Sequence, residues 1–306
     1  MSDRLAVVVV NYGSHRLLAQ NLADLPLAAA GFDVVVVDNF TNAHELAALK
    51  ELAAANAWTV VANPGNYGFG GGMNVGVARA KELGCGVLLL LNPDVRLDVG
   101  TIKSLHRQVC AEPLVLVSPA ILNPAGKSWF AGGELNPGSG AVRTSRAADM
   151  SDRYAWLTGA CLAVSTSLWE LAGGFDPDYF LYWEDVDFSL RCSRAGAKLA
   201  VRGDLSVVHE VGGTQGEGKS AIYMYYNCRN RLLFASRWLP AGKQLAWIAR
   251  TPIESYRIWR RGGRRSMLSW SLISAVITGS FAGVSKVIGG RSRSAHAAGH
   301  PQEVRS

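Results

Sequence analysis

No two cysteines in this chain are close enough to make a C-x-x-C pair; Cys85, Cys110, Cys161, Cys192 and Cys228 stand singly. That spacing excludes a zinc knuckle, a redox pair and a secreted disulfide framework, and it fits a reducing cytosol. A secretory leader is not expected either, because the opening run MSDRLAVVVVNYG is too short and too valine-rich and reads as a first strand. Charge is sparse at 18% of residues while 49% are hydrophobic, which excludes disorder and suffices for one large α/β core or two modest lobes. Internal repeats are absent. No G-x-G-x-x-G follows the first strand, so a dinucleotide-cofactor domain lacks its fingerprint.

The net charge of +7 predicts an anionic partner, and its distribution narrows the choice. Acids lie mostly before Glu217; beyond it Arg229, Arg231, Arg237, Arg250, Arg257, Arg260, Arg261, Arg264 and Arg265 dominate. A nucleic-acid partner would need a recognisable fold motif around that cluster, and none is present, so the reading is no nucleic acid.

Short apolar runs at Leu5 to Val10, Asp33 to Val37, Thr59 to Ala62, Val87 to Leu91 and Leu114 to Ser118 have the pattern of strands buried on both faces. Helical stretches separate them, at Ser14 to Ala29, Ala43 to Asn56, Gly71 to Leu83 and Val99 to Ala111. That order predicts an open, doubly wound, mostly parallel sheet with ligands at the carboxyl ends of its strands. Pro119 to Arg153 reads as an irregular functional loop and Trp156 to Val164 as a strand. Lys198 to Val201 and Ser206 to Val208 read as the last strands, and two basic aromatic helices follow over Ala221 to Trp238 and Ala241 to Arg260. The expected division is one α/β domain over 1–238, in two halves that meet at about 118. A basic, amphipathic helical region over 239–306 follows, with a disordered tail from about 290. Met267 to Ile288 approaches the length of a membrane span, but its serines and Lys286 dilute it; a helix on the membrane surface, a span and a soluble packing helix are the three readings.

Two acids sit at predicted strand ends, Asp38 in Val37-Asp38-Asn39 and Asp94 in Asn92-Pro93-Asp94. Pro93 fixes the backbone, so Asp94 projects from a rigid turn where it could hold a hard divalent cation; an ordinary turn residue is the alternative, and a cap is the alternative for Asp38. Between them, Asn63 to Gly76 is a glycine-rich turn that follows a strand and opens a helix, the geometry of an anion cradle or of a structural turn. Gly213 to Ser220, GTQGEGKS, matches the P-loop pattern, yet no Asp follows Asp204 to position Mg²⁺ in the usual order. The stretch reads instead as a loop in which Lys219 neutralises a leaving diphosphate. His209 follows the last strand and heads that loop, as a structural imidazole or as a metal ligand beside Asp94.

The segment Tyr179 to Arg191, YFLYWEDVDFSLR, sets Glu184, Asp185 and Asp187 among aromatic residues. Partial desolvation there raises carboxylate pKa values and suits one of them to accept a proton near neutral pH, while a helix cap is the plainer reading of Asp185.

These stretches, in this order, resemble the nucleotide-sugar glycosyltransferases of family 2, rhamnosyltransferase-like branch. The resemblance is carried by VVVVNY from Val7, VDN from Val37, NYGFGGGMNVG from Asn66, LNPDV from Leu91, GACLAV from Gly159, GGFDPDYFLYWEDVDFSLR from Gly173, and His209. It covers Leu5 to Leu233; Phe40-Thr41 departs from the commoner Gly or Ser after VDN. It implies an A-type glycosyltransferase fold: one Rossmann-like α/β domain followed by helices. It also implies inverting, Mg²⁺- or Mn²⁺-dependent transfer from a nucleotide sugar.

Carried over, Asn11, Tyr12, Asp38, Asn39, Asn66, Gly68, Phe69, Asn74, Asn92 and Asp94 face the donor. Asp94 and His209 hold the metal, and Asp185 is the general base. Gly159, Ala160, Asp176, Trp183 and Glu184 surround sugar and acceptor, with Lys219 and Arg229 near a diphosphate; an amphipathic packing surface is the other reading of Arg229 and its helix. dTDP-rhamnose is the implied donor, with UDP-galactofuranose or UDP-N-acetylglucosamine as alternatives. The acceptor is a glycan or a polyprenyl-diphosphate-linked sugar of cell-wall or surface polysaccharide synthesis, met in the cytoplasm at the inner face of the plasma membrane. A catalytically dead sugar-binding module is disfavoured, since every acidic position the reaction needs is occupied.

Overall fold

The computed structural model of the chain describes residues 2–144, 150–152, 154–210, 219–263 and 269–298, with side chains as far as 289. Two compact units divide it, Met1–Leu135 with Val142–Gly216, and Asn136–Ala141 with Glu217–Ser306.

The first unit opens with β1 (Leu5–Asn11), α1 (His15–Asn21), β2 (Asp33–Asp38), α2 (Ala43–Asn56), β3 (Thr59–Ala62), α3 (Gly68–Glu82), β4 (Val87–Leu91), β5 (Val95–Arg96), α4 (Val99–Ala111) and β6 (Val115–Leu122). It continues through β7 (Ser128–Phe130), β8 (Gly133–Leu135), β9 (Val142–Thr144), β10 (Ala155–Trp156), β11 (Cys161–Ser165), α5 (Thr166–Ala172), a 3-10 turn (Pro177–Tyr179), α6 (Glu184–Arg194) and β12 (Lys198–His209). The main sheet runs β3-β2-β1-β4-β11-β6-β12-β5, with β7 on β6. β1 to β4 are mutually parallel and β12 is parallel to β6, while β11 runs antiparallel between β4 and β6. The valine and leucine runs of β1, β2 and β4 are buried almost completely, as the continuous apolar pattern predicts for strands covered on both faces. Glycine lets α3 lie flat on them: a Cβ on Gly76 would sit 2.4 Å from a Val8 methyl and 2.9 Å from one of Val37.

Several boundaries differ from the sequence reading. The first helix stops at Asn21 rather than Ala29, because Pro26 has no N–H and disfavours helical backbone at Leu25; residues 22–31 close in turns. The stretch read as irregular over Pro119 to Arg153 extends β6 and contributes β7, β8 and β9, and β8 lies between β10 and β9 in a small antiparallel sheet. Residues 157–160 interrupt the strand expected from Trp156, and the two last strands are one, β12, with a register shift between Arg202 and Ser206.

The second unit holds α7 (Ala221–Trp238), α8 (Ala241–Ala249), α9 (Thr251–Arg260) and α10 (Trp270–Ala298). α7 thus goes with the C-terminal helices rather than with the catalytic domain, whose boundary was read at 238. The helix expected over Ala241 to Arg260 is broken at Arg250, because Pro252 cannot bond to the carbonyl four residues back. α10 is helical as far as Ala298. Arg231 is a buried cation in this unit: it donates to the carbonyls of Ser139 (2.8 Å) and Trp247 (3.0 Å), so three separate segments share one guanidinium. Burial pulls its pKa down to about 10, and the nearby Glu254 carboxylate opposes that pull.

Candidate active site

Four strand ends supply the first residues of the site. β1 ends in Asn11 and β2 in Asp38, in register with each other. Asn11 donates to Asp38 Oδ1 at 2.9 Å, whereas Asp38 Oδ2 is buried with no hydrogen-bond partner. Burial pushes this carboxyl above its ordinary value against the pull of the Asn11 bond, and the Glu45 charge adds to the rise. An unpaired buried acceptor is costly unless a ligand donor completes it. Glu45 braces the corner by accepting from the His15 N–H (2.9 Å), the His15 ring (2.6 Å) and Asn11 (3.3 Å). Burial raises its pKa, but these bonds outweigh burial and hold it low. Neither Glu45 nor His15 was picked out from sequence; the capping pattern Asn42-x-x-Glu45, in which Asn42 accepts from the Glu45 N–H, was the available signal.

The glycine-rich turn joins this corner to the acidic segment. Asn39 donates to the carbonyl of Gly68 (2.7 Å) and to Asn66 (3.2 Å), and accepts from Asn63 (2.9 Å). Asn74 makes a two-way pair with the backbone of Phe175, at 2.7 and 2.9 Å. Asn39, Asn66 and Asn74, read from sequence as donor contacts, are thus engaged here as braces of the turn. Phe69 N–H donates to the carbonyl of Phe180 at 2.8 Å, and Gly68, at φ +73°, lies so close that a Cβ would fall 2.1 Å from that oxygen. Tyr12, Phe40 and Tyr67 remain exposed on this side, and Phe40 adopts φ +43°.

The segment beyond Phe180 is strained. Phe180, Tyr182 and Trp183 all have positive φ, at 61°, 66° and 76°, a conformation costly for residues with side chains and found where surrounding structure imposes it. This brings α6 in with its three acids in three settings. Asp187 is fully buried and paired, accepting from Tyr179 OH (3.1 Å) and Arg191 Nε (2.8 Å). Glu184 is buried against Gly70, its Oε2 unpartnered, and burial lifts its pKa well above the ordinary value, with the Asp185 and Asp187 charges adding to the rise. Asp185 keeps an open side: its oxygens accept from the Gly159 N–H (3.2 Å) and the Val186 N–H (2.9 Å), and burial raises it to about 6 against those bonds. The helix starts at Trp183, so Asp185 is not its cap. Asp176 accepts from the Asp178 N–H at 3.0 Å and caps the 3-10 turn.

Residues 159 and 160 link α6 to the last corner. While the Gly159 N–H faces Asp185, the Ala160 carbonyl accepts from the Asn92 N–H at 2.9 Å, which anchors the turn carrying Asp94. β5 then pairs with the end of β12, Val95 opposite His209, and sets His209 Nε2 3.0 Å from Asp94 Oδ1. Trp129 stands edge-on to the imidazole at 4.7 Å, and its Nδ1 is buried without a partner. A carboxylate and an imidazole 3.0 Å apart match one edge of an octahedron with bonds of about 2.1 Å, so the pair fits a divalent cation such as Mg²⁺ or Mn²⁺. Among the described residues no group of three or more His, Cys, Asp or Glu gathers, which leaves the remaining positions to substrate phosphate and water.

Contacts therefore link Asp38 to the glycine turn, the Phe69 ring of that turn to Gly159, where a Cβ would lie 3.0 Å from it, Gly159 to Asp185, and Ala160 to the Asn92 turn that carries Asp94 beside His209. Lys219 and Arg229 belong to the second unit, where Lys219 lies over the Tyr223 ring (4.8 Å) and Arg229 donates to Asn230 (2.6 Å). The P-loop-like residues 213–218 lie outside the described residues. A hollow of about 580 Å³ at the opposite, amino end of β1, lined by Asp3, Phe32, Lys103, His106 and Arg107, contains none of these site residues.

Residues 3–224 match the family described as Glycosyltransferase like family 2. The chain is a family 2 glycosyltransferase. The transferase is 26% identical over 245 residues to the low-salt glycan biosynthesis hexosyltransferase Agl10 of Haloferax volcanii, covering 76% of each chain. Over 300 residues it is 26% identical to the N-acetylglucosaminyl-diphospho-decaprenol L-rhamnosyltransferase of Mycobacterium tuberculosis, covering 87% of this chain and 96% of that one. Its fold matches the crystal structure of GalNAc-T7 with UDP, GalNAc and Mn²⁺ at a TM-score of 0.61 and 15% identity, over 95% of this chain and 57% of that one. The α/β fold with a mostly parallel sheet and C-terminal helices is thus that of the A-type glycosyltransferases.

Proposed function

We propose that this glycosyltransferase moves L-rhamnose from dTDP-rhamnose to a glycan or polyprenyl-diphosphate-linked acceptor, with inversion at the sugar carbon, at the inner face of the plasma membrane. The observation that carries the mechanism is the contrast among the α6 acids: Asp187 is neutralised by Arg191, Glu184 is sealed, and Asp185 alone keeps an open side with a pKa near 6. One accessible carboxylate suits a single in-line displacement, in which the acceptor hydroxyl loses its proton on the face opposite the leaving group. A glycosidase would need two facing carboxyls several ångströms apart.

In this reading Asp185 takes that proton, held in place by the Gly159 and Val186 N–H groups. Asp38, oriented by Asn11, accepts a hydrogen bond from the nucleoside on its unpaired Oδ2. Asp94 and His209 would hold Mg²⁺ or Mn²⁺, which when bound neutralises the charge of the departing nucleoside diphosphate. The glycine turn lets the donor approach the backbone closely. The rhamnosyl donor and the lipid-linked acceptor are supported by the mycobacterial relative's activity. UDP-galactofuranose and UDP-N-acetylglucosamine are the competing donors.

A donor panel with Mg²⁺ or Mn²⁺ tests this reading through thermal shift and slow donor hydrolysis, with no acceptor needed. dTDP-rhamnose alone should both stabilise the protein and be hydrolysed; preference for a UDP sugar replaces the donor, and no response to any nucleotide sugar removes the reading.

A further inference from the structure

The span Trp270–Gly289 of α10 has a mean hydropathy of 1.6 with only 22% of it buried, so the helix is apolar, long enough to cross a bilayer and largely uncovered. Its two sides differ. The inner side is built for contact with α7: a Cβ on Gly279 would lie 2.4 Å from the carbonyl oxygen of Tyr225, and one on Gly283 2.9 Å from that of Arg229. Leu272, Ala275 and Val276 pack on Met224, Cys228 and Ile258, and Val287 is buried. On the outer side stand Trp270, Ile277, Phe281 and Ile288, exposed by 78%, 47%, 70% and 58%. Their spacings of seven, four and seven residues place all four within about 20° of one line along the helix.

Two of the polar residues flanking that line are already satisfied. Thr278 Oγ1 donates to the Ser274 carbonyl (2.8 Å) and Ser285 Oγ to that of Phe281 (3.0 Å). Hydroxyls bonded back to their own helix lose little on leaving water. The charge around the stripe is of one sign: residues 219–298 contain fourteen lysines and arginines and a single acid, Glu254, which is paired with Arg257. α9, joined to α10 by the Ser255–Ser280 hydroxyl pair (2.8 Å), exposes Ile253 and Tyr256 next to Arg257 and Arg260.

We infer that the outer stripe of α10 inserts into the surface of an anionic phospholipid bilayer, with the helix lying in the plane of the interface rather than crossing it. Crossing is disfavoured by α7: because Tyr225 and Arg229 touch the middle of α10, a spanning α10 would draw Asn227, Arg229, Asn230 and Arg231 into hydrocarbon. In the plane, α7 stays on the aqueous side and the stripe alone enters lipid, while each basic residue near the surface adds attraction to anionic headgroups. A second copy of the same cationic surface would be repelled, and a nucleic-acid backbone has no use for an exposed Trp–Ile–Phe–Ile line. This attachment rests on the reading of the chain as a transferase working at a membrane, so binding is measured apart from sugar transfer.

The test is flotation of the full-length protein with vesicles of phosphatidylglycerol and phosphatidylcholine, and of phosphatidylcholine alone. Wild type should float with the anionic vesicles, be released by alkaline carbonate, and bind neutral vesicles at least tenfold less. Ile277→Glu/Phe281→Glu should reduce binding more than tenfold, and Arg260→Gln should reduce it several-fold and weaken its salt dependence. Both variants should keep donor hydrolysis and melting temperature, which separates loss of attachment from loss of fold or of transferase chemistry. Resistance to carbonate would show a span and overturn the in-plane placement. Equal binding to neutral vesicles would overturn the anionic specificity. Failure to bind any vesicle, with a concentration-dependent dimer that Ile277→Glu/Phe281→Glu dissociates, would assign the stripe to a second copy.

Discussion

Replacing Asp185 by Asn separates the two reasons a half-buried carboxylate can exist, fold or chemistry, because the two readouts move in opposite directions. The folded-state pKa is raised from 3.8 to about 6, so the folded protein binds the proton more tightly than the unfolded chain does. The charged form therefore costs stability, fully above pH 6 and not at all below the unfolded value. At about 1.36 kcal/mol per pH unit that cost is about 3 kcal/mol. An amide removes the charge and keeps the shape; its oxygen retains one of the N–H bonds from Gly159 and Val186, and the mismatch at the other returns about 1 kcal/mol. Asp185→Asn should therefore gain roughly 1–2 kcal/mol at pH 8 by urea unfolding, while transfer at saturating donor falls about 10²- to 10⁴-fold. Wild-type transfer should drop about tenfold per unit as pH falls below about 6, as the base becomes protonated. Near-wild-type turnover would refute the assignment. A variant that lost rate and several kcal/mol together would make Asp185 a structural acid.

Burial raises the Glu184 pKa and favours its neutral form, so Glu184→Gln is expected to leave the acid limb of the pH–rate profile in place; a shift of that limb to lower pH would mean that a charge had been removed. Since its folded pKa is raised, the native Glu loses stability as pH climbs through that value, and Glu184→Gln should hold its melting temperature better in alkaline buffer. Gly68→Ala places a Cβ against the Phe180 carbonyl at positive φ; a loss of about 1–3 kcal/mol with abolished donor binding by calorimetry is expected. His209→Ala removes the partner of Asp94 and should raise the Mn²⁺ concentration for half-maximal activity about 10- to 100-fold, while urea unfolding changes little.

How much of this was legible in advance depended on the range of the interaction. β1, β2, β3 and β4 and the helices α2 and α4 were readable because valine runs and 3.6-residue periodicity are local, and Asn42 and Asp98 mark helix starts by bonding N–H groups three residues on. The end of the first helix before Pro26 and the break before Pro252 in the helix expected over Ala241 to Arg260 were also written in local chemistry. The antiparallel insertion of β11 was not, since an apolar run of five residues carries no direction. The acids at the strand ends were picked out by position alone. That Asn39 and Asn74 brace the glycine turn, and that Asp187 is neutralised by Arg191 while Asp185 stays open, follows from contacts across about 30 to 100 residues, or from which side of α6 faces inward.

Composition and motif order by themselves determined the fold class, the rim of the sheet where chemistry belongs, and the concentration of positive charge towards the C-terminus, because each depends on residue type and short spacing. Tertiary structure decided which of three neighbouring carboxylates is free to take a proton, what holds His209 beside Asp94, and which side of the last helix is bare. Those outcomes depend on burial and on partners distant in sequence, and the local chain carries no record of either.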